Sequence, residues 1–119
     1  MEIIKLKTVS DERGSLSVIE RCLNFDFKRV YYIYGANGQR GGHAHKKTKQ
    51  ALVAVNGSCN VDVYINGSFT RVELNDPALC LVLEPKDFHY MNDFSRDCVL
   101  LVLASEFYDK SDYIYKKDI

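Results

Sequence analysis

The chain carries no surplus of charge. Sixteen lysines and arginines are matched by sixteen aspartates and glutamates, which argues against a protein that coats nucleic acid or an acidic membrane surface. No apolar stretch approaches the roughly 20 residues of a membrane helix. The opening MEIIKLKTVSDERG interleaves charges and lacks the apolar run of an export signal. The four cysteines, Cys22, Cys59, Cys80 and Cys98, form no CxxC pair; they read as reduced, mostly buried thiols rather than a disulfide frame or a zinc site. Neither a GxGxxG nor a P-loop pattern is present to cradle a nucleotide cofactor. Repeats, linkers and low-complexity segments are absent, and no stretch shows the periodicity of a helix of ordinary length. A chain of 119 residues is then expected to form one domain over 1–119 with its own core, in the cytoplasm, without a nucleic-acid or membrane partner.

What the sequence does have is strands. Residues 3–9 alternate apolar and polar side chains and end at the turn Asp11-Glu-Arg-Gly14. Residues 15–20 form a short run, and residues 27–34 (FKRVYYIY) are rich in β-branched and aromatic residues. Runs over 51–55, 58–65 and 68–74 are separated by Asn56-Gly57 and Asn66-Gly67. Each Asn-Gly pair predicts a two-residue hairpin, because both central residues of a type I′ turn need positive φ. Residues 80–83 and 98–104 are continuously apolar, as expected for strands buried on both faces. Between them, residues 84–93 read as a loop carrying His89. The tail from 105 to 119 (SEFYDKSDYIYKKDI) fits either a helical turn or an extended arm. Many short strands with turn signals every eight to twelve residues predict an all-β sandwich or barrel of the jelly-roll kind.

Chemistry concentrates in Arg40-Gly-Gly-His43-Ala-His45-Lys-Lys-Thr-Lys-Gln50. In a strand, side chains at i and i+2 share a face, so His43 and His45 project together. Gly41 and Gly42 leave little bulk in front of them. Arg40, Lys46, Lys47 and Lys49 surround the pair, and no acid occurs between Ala36 and Gln50. Paired imidazoles among cations suit an anionic ligand and a base that titrates near neutral pH. The plainer alternative is a strand end with two surface histidines and solvated lysines.

Gly38, His43, His45, Gln50 and Gly57 resemble the first motif of the cupins, and Pro85, Asp87, His89 and Asn92 resemble the second loosely. Gln50 stands where metal-binding cupins carry glutamate, and a neutral amide is a poorer partner for a dication than a carboxylate. Longer stretches are more specific. Phe27-Lys-Arg-Val-Tyr-Tyr-Ile33, Arg40-Gly-Gly-His-Ala-His-Lys-Lys47 with Gln50, Asn56-Gly-Ser58, Asp93-Phe-Ser95 with Cys98-Val99, Val102-Leu-Ala-Ser105, and Tyr108-Asp with Ser111-Asp-Tyr-Ile114 resemble the WxcM-like sugar 3,4-ketoisomerases. That resemblance implies a cupin-type jelly-roll β-barrel that works without metal or other cofactor, usually as a homodimer. It also implies a dTDP-linked 4-keto-6-deoxyhexose as substrate, in making deoxyamino sugars for surface polysaccharide. Within that group Gln50 and His89 are ordinary, whereas Arg13 occupies a variable position.

Moving a ketone from C4 to C3 begins with loss of the C3 proton, acidified by the adjacent carbonyl, and continues through an enediolate. A histidine with an intrinsic pKa of about 6.5 suits that step, and a cation or hydroxyl beside the developing oxyanion lowers the barrier further. His43, His45 and Tyr31 are the catalytic candidates; Arg40, Arg13, Gln50 and His89 are the substrate-binding candidates. Each has a plainer reading. His43 could be a hydrogen-bonded core histidine, and Arg40 a charge that caps a sheet edge. Only one of Tyr31 and Tyr32 can face the site, because adjacent strand residues point to opposite faces. A metal-dependent cupin and a non-catalytic sugar-nucleotide-binding cupin are the alternative functions.

Overall fold

The computed structural model describes residues 1–116, so the last three residues of the expected domain and tail lie outside the described residues. The apolar runs define one five-stranded antiparallel sheet. Its strands are β1 (Glu2–Lys5), β4 (Arg29–Tyr34), β6 (Gln50–Asn56), β9 (Leu79–Leu83) and β11 (Val99–Ala104), in the order β1-β9-β6-β11-β4. The second sheet has the order β12-β5-β10-β7-β8, from β5 (Arg40–His45), β7 (Cys59–Ile65), β8 (Ser68–Leu74), β10 (Phe88–Asn92) and the short β12 (Tyr113–Ile114). A separate hairpin pairs β2 (Lys7–Asp11) with β3 (Gly14–Val18). The two large sheets face each other over Leu52, Val61, Val63, Leu74, Leu81 and Leu100. This is the all-β jelly roll that the turn spacing predicts, of the cupin type that the resemblance implies. Among the described residues, no helix is long and apolar enough to cross a membrane.

The continuous runs owe their lack of alternation to a second core. The outer face of the first sheet buries Ala51, Val53, Cys80, Val82 and Leu103 beneath Leu6, Ile19, Leu23 and Phe25. Strands β6, β9 and β11 are therefore covered on both sides, which removes any need for outward polar residues. The four cysteines are free thiols.

Three expectations need correction, and the two alternatives for the tail are resolved. Residues 3–9 are not one strand: Leu6 turns inward into the outer core, β1 pairs with β9, and β2 leaves with the hairpin. Residues 84–93 are not all loop, because β10 lies between β5 and β7 and carries His89. Its aromatic members Phe88 and Tyr90 are the strand signal that the neighbouring Pro85, Lys86 and Asp87 masked. The tail adopts both expected forms in turn, a 3-10 turn at Lys110–Asp112 followed by an extended pair against β5.

The third correction concerns Asn56-Gly57. Asn66-Gly67 does close the β7–β8 hairpin, with φ of 49° and 79°. At the earlier pair only Gly57 has positive φ, 66°, and the chain crosses there from the first sheet to the second. Tertiary contacts hold that crossing: Asn56 Nδ2 donates to the Asp97 carbonyl at 2.9 Å and Ser58 N to Ser95 Oγ at 2.9 Å. A Cβ on Gly57 would lie 2.3 Å from Ser95 Oγ and 2.8 Å from Cys98 Cα, whereas one on Gly67 would meet nothing within 4 Å. Both Gly→Ala changes cost left-handed backbone strain, of order 1 kcal/mol. Gly57→Ala adds overpacking, typically about 1–3 kcal/mol more. Urea unfolding should therefore show Gly57→Ala clearly less stable than Gly67→Ala; equal midpoints would contradict the packing at the crossing.

Candidate active site

Strand parity assembles the cavity. Arg29, Tyr31 and Ile33 alternate along β4 and face inward, while Tyr32 is 62% exposed on the outer face. Of the adjacent tyrosines, Tyr31 is therefore the one that lines the cavity. In the same sheet β6 contributes Gln50 and Leu52, and from the facing sheet β5 contributes Arg40, Gly41 and His43 and β10 contributes His89 and Met91. Tyr108 and Tyr113 from the tail close one side of a cavity of about 290 Å³. Core residues Leu52 and Val102 and two arginines, Arg29 and Arg40, are all part of its lining.

A bulge aligns the histidines. His89 pairs with His43, but Tyr90 pairs with Gly41, so Gly42 is the extra residue of β5. Gly41 and Gly42 have φ of 86° and 80°, and a Cβ on Gly41 would come 2.9 Å from the His89 carbonyl oxygen. The two glycines therefore do more than leave space; they let β5 approach β10. The His43 ring centroid is 5.0 Å from both His45 and His89. His43 and His45 do share a face, but only His43 and His89 line the cavity. His45 sits behind His43 and is 3% exposed.

Protonation states follow from burial. Desolvation, with the neighbouring His45 as a second cause, lowers His43 to about 4, while the Gly41 carbonyl pulls the other way. His89 is likewise lowered to about 4, chiefly by desolvation, and its Nδ1 lies 3.0 Å from the Asp87 carbonyl. Both are neutral at pH 7, below the range that sequence alone assigns to a base of this kind. Burial also raises the Tyr31 hydroxyl above the ordinary phenol value, outweighing the opposing effect of Arg29. The Tyr31 hydroxyl accepts from Gln50 Nε2 at 3.0 Å, and Gln50 Oε1 is buried without a partner.

Of the residues singled out from sequence, His43, Tyr31, Arg40, Gln50 and His89 are brought together. Arg13 is not among them. It lies in the β2–β3 turn with its side chain 85% exposed and paired to Asp11 at 2.6 Å. Sequence reading passed over Arg29, Tyr108 and Tyr113. The Arg29 guanidinium lies 5.2 Å from the Tyr31 ring centroid and 5.7 Å from that of Tyr108, and its Nε is buried without a hydrogen-bond partner. Arg29 was legible, being two residues from Tyr31 on the same strand face. The tail tyrosines were not, since their placement depends on β12 adding to β5. Among the described residues, no group of three or more histidine, cysteine or acidic side chains is arranged to hold a metal ion.

The fold and this histidine-lined cavity between its sheets define a protein of the cupin class. Residues 1–118 match the family described as FdtA: WxcM-like, C-terminal, and the chain belongs to that family. It is 46% identical over 121 residues to the TDP-4-oxo-6-deoxy-alpha-D-glucose-3,4-oxoisomerase of Aneurinibacillus thermoaerophilus, covering 98% of this chain and 87% of that protein. Among solved structures it is similar to the 3,4-ketoisomerase QdtA of Thermoanaerobacterium thermosaccharolyticum. A mutant of QdtA in complex with TDP-4-keto-6-deoxyglucose superposes with a TM-score of 0.93 at 43% identity, covering 98% of this chain and 88% of that one. The TDP-quinovose 3,4-ketoisomerase WlaRB of Campylobacter jejuni gives a TM-score of 0.92 at 37% identity, covering 98% and 93%.

The buried histidines make stability depend on pH. His89 has a folded value of about 4 against about 6.5 when unfolded. Between those values the unfolded chain binds a proton that the folded chain excludes, so folding stability rises with pH across this interval. Its contribution is fully present above about pH 6.5 and is lost as pH falls toward 4, by up to about 1.4 kcal/mol per pH unit. Urea midpoints should fall over that window, and His89→Gln should flatten the fall. An unchanged slope in the variant would place the titration elsewhere.

Proposed function

We propose that the protein is a 3,4-ketoisomerase acting on a dTDP-linked 4-keto-6-deoxyhexose, with His43 as the proton-transfer base. The observation that carries this reading is a neutral histidine on the wall of a cavity that Arg29 and Arg40 also line, in a chain of this family. The substrate class is that named for the relatives. A substrate diphosphate suits the two guanidiniums, which bind such oxygens through charge-assisted pairs.

The reaction is an acid–base exchange. His43 takes the C3 proton; the C3–H pair becomes the C3=C4 double bond, and the carbonyl pair moves to O4. The Tyr31 hydroxyl and a nearby guanidinium stabilise that oxyanion. His43 then returns its proton to C4, using the pair of the double bond. The O3–H pair becomes the new C3 carbonyl as the O3 proton passes to O4. Atoms and electrons balance without an external oxidant or reductant. A low value for free His43 makes its protonated form a strong acid for the return step, while the bound substrate's negative charge favours its formation. The product serves deoxyamino-sugar synthesis for surface polysaccharide, in the cytoplasm, where free thiols stay reduced.

We also propose a homodimer. The β2–β3 hairpin stands apart from both sheets and exposes Val9 and Leu16, which pair across it. The edge strand β4 exposes Val30, Tyr32 and Tyr34. Edges and apolar patches of this kind are covered by a second copy. Arg13 rides on the hairpin turn, so a substrate-binding role for it would act across that interface.

Turnover of TDP-4-keto-6-deoxyglucose in deuterated water should place deuterium in the sugar at C3 or C4. His43→Asn should cut turnover by at least about 10²-fold while TDP binding changes little. Activity should survive exhaustive chelation. Loss of activity with EDTA, restored by one added metal, would make His43 a ligand instead of the base; full activity of His43→Asn would remove it from the mechanism. Light scattering at micromolar concentration should give twice the 13.6 kDa of one chain, and a species of monomer mass alone would refute the dimer.

A further inference from the structure

The three histidines are held by different acceptors. His43 and His89 contact the main-chain carbonyls of Gly41 and Asp87. His45 alone is held by a carboxylate, with Nδ1 2.9 Å from Asp112 Oδ2. Asp112 is only 4% exposed. It accepts from the backbone N–H of Lys47 at 2.9 Å and from the Thr48 hydroxyl. Burial alone would raise its carboxyl, but these donors outweigh it and hold the group below its ordinary value, hence ionised. The Asp112 backbone carbonyl also accepts from Lys46 N at 2.8 Å. The tail is thereby fastened to the turn that follows β5.

An ionised carboxylate can only accept. Nδ1 of His45 must therefore carry the hydrogen, which leaves Nε2 with a lone pair. Nε2 is buried and has no hydrogen-bond partner, an uncommon state for a buried polar atom and one that calls for a reason. The His45 ring lies perpendicular to His43 at 5.0 Å and 4.7 Å from Tyr113, both residues of the cavity wall. His45 is off that wall, so it reaches the substrate only through its neighbours.

We propose that Asp112 is a positioning residue for the reaction. By fixing His45 as the Nδ1–H tautomer, it keeps a neutral, acceptor-bearing imidazole packed against His43 instead of an N–H donor. When His43 takes the substrate proton, the ring packed against it is then a neutral imidazole backed by a buried negative charge, not a second cation. Exchanging the carboxylate for an amide reverses this, because an amide NH2 donates to Nδ1 and moves the ring hydrogen to Nε2. This inference rests on the reading of His43 as the base.

Nitrogen-15 NMR of histidine-labelled wild-type protein at pH 7 should show His45 protonated at Nδ1 and bare at Nε2. Asp112→Asn should reverse that tautomer and lower kcat for TDP-4-keto-6-deoxyglucose by about 10²-fold or more, with KM and TDP affinity within about threefold of wild type. If Asp112→Asn does not fold, His45→Gln should show the same split, a loss in kcat without a loss in KM. An Nε2–H tautomer in the wild type would overturn the proposal. So would a variant kcat within about threefold of wild type, or a loss carried by KM and TDP affinity, which marks a merely structural role. His43→Asn separates the two layers. Normal turnover in it overturns the base reading, whereas an inactive His43→Asn beside a normal Asp112→Asn overturns only the role of Asp112.

Discussion

The close approach of β5 to β10 at Gly41 and Gly42 is the constraint on which the site depends. Two consecutive residues with positive φ place one extra residue in β5 and bring its backbone against the His89 carbonyl. A side chain on Gly41 would collide with main chain, which has nowhere to go; one on Gly42 would strike the Tyr90 ring at 2.9 Å. Because a strand has period two, a bulge resets which residues face inward. Here the reset sets His43 opposite His89 while β5 continues inward to His45. The polar wall of the cavity follows from that local distortion.

Around this alignment the cavity is partly desolvated. Its floor is the inter-sheet core of Leu52 and Val102, and its histidines are desolvated enough to stay neutral at pH 7. Arg29 and Arg40 line the same cavity, with Arg29 lodged between Tyr31 and Tyr108. Such a site holds neutral histidines beside positive charge, an arrangement suited to stabilising an enolate-like anion. The same burial that keeps these histidines neutral also costs folding stability when the medium becomes acidic.

The tail joins the fold to the site. Strand β12 adds to the edge of β5, so that edge is covered and Tyr113 is placed on the cavity wall. The turn before it delivers Asp112 to His45 across 67 residues of sequence. A segment that contributes little to the core thus completes one side of the cavity and satisfies the second histidine.

Sequence by itself determined the class of the fold, because turn chemistry and apolar periodicity are local. Asn66-Gly67 specifies its hairpin through the φ values its residues tolerate, and the unbroken runs at β9 and β11 announce burial on both faces. It also determined that His43 and His45 share a face, and that one of Tyr31 and Tyr32 turns inward, since both follow from strand parity. Only the tertiary structure decided what parity cannot reach. Asn56-Gly57 carries the same dipeptide as the hairpin turn, yet contacts with Ser95 and Asp97 make it a crossing between sheets. His89 became a wall residue because β10 found partners on both sides. Arg13 and Asp112 exchanged standing: the first lies on an exposed turn, and the second, silent in a one-dimensional reading, lies in the buried shell of the site. The physical reason is the same in each case. Local rules fix backbone preference and side-chain face, whereas burial, charge pairing and pKa depend on which distant segments close over a residue.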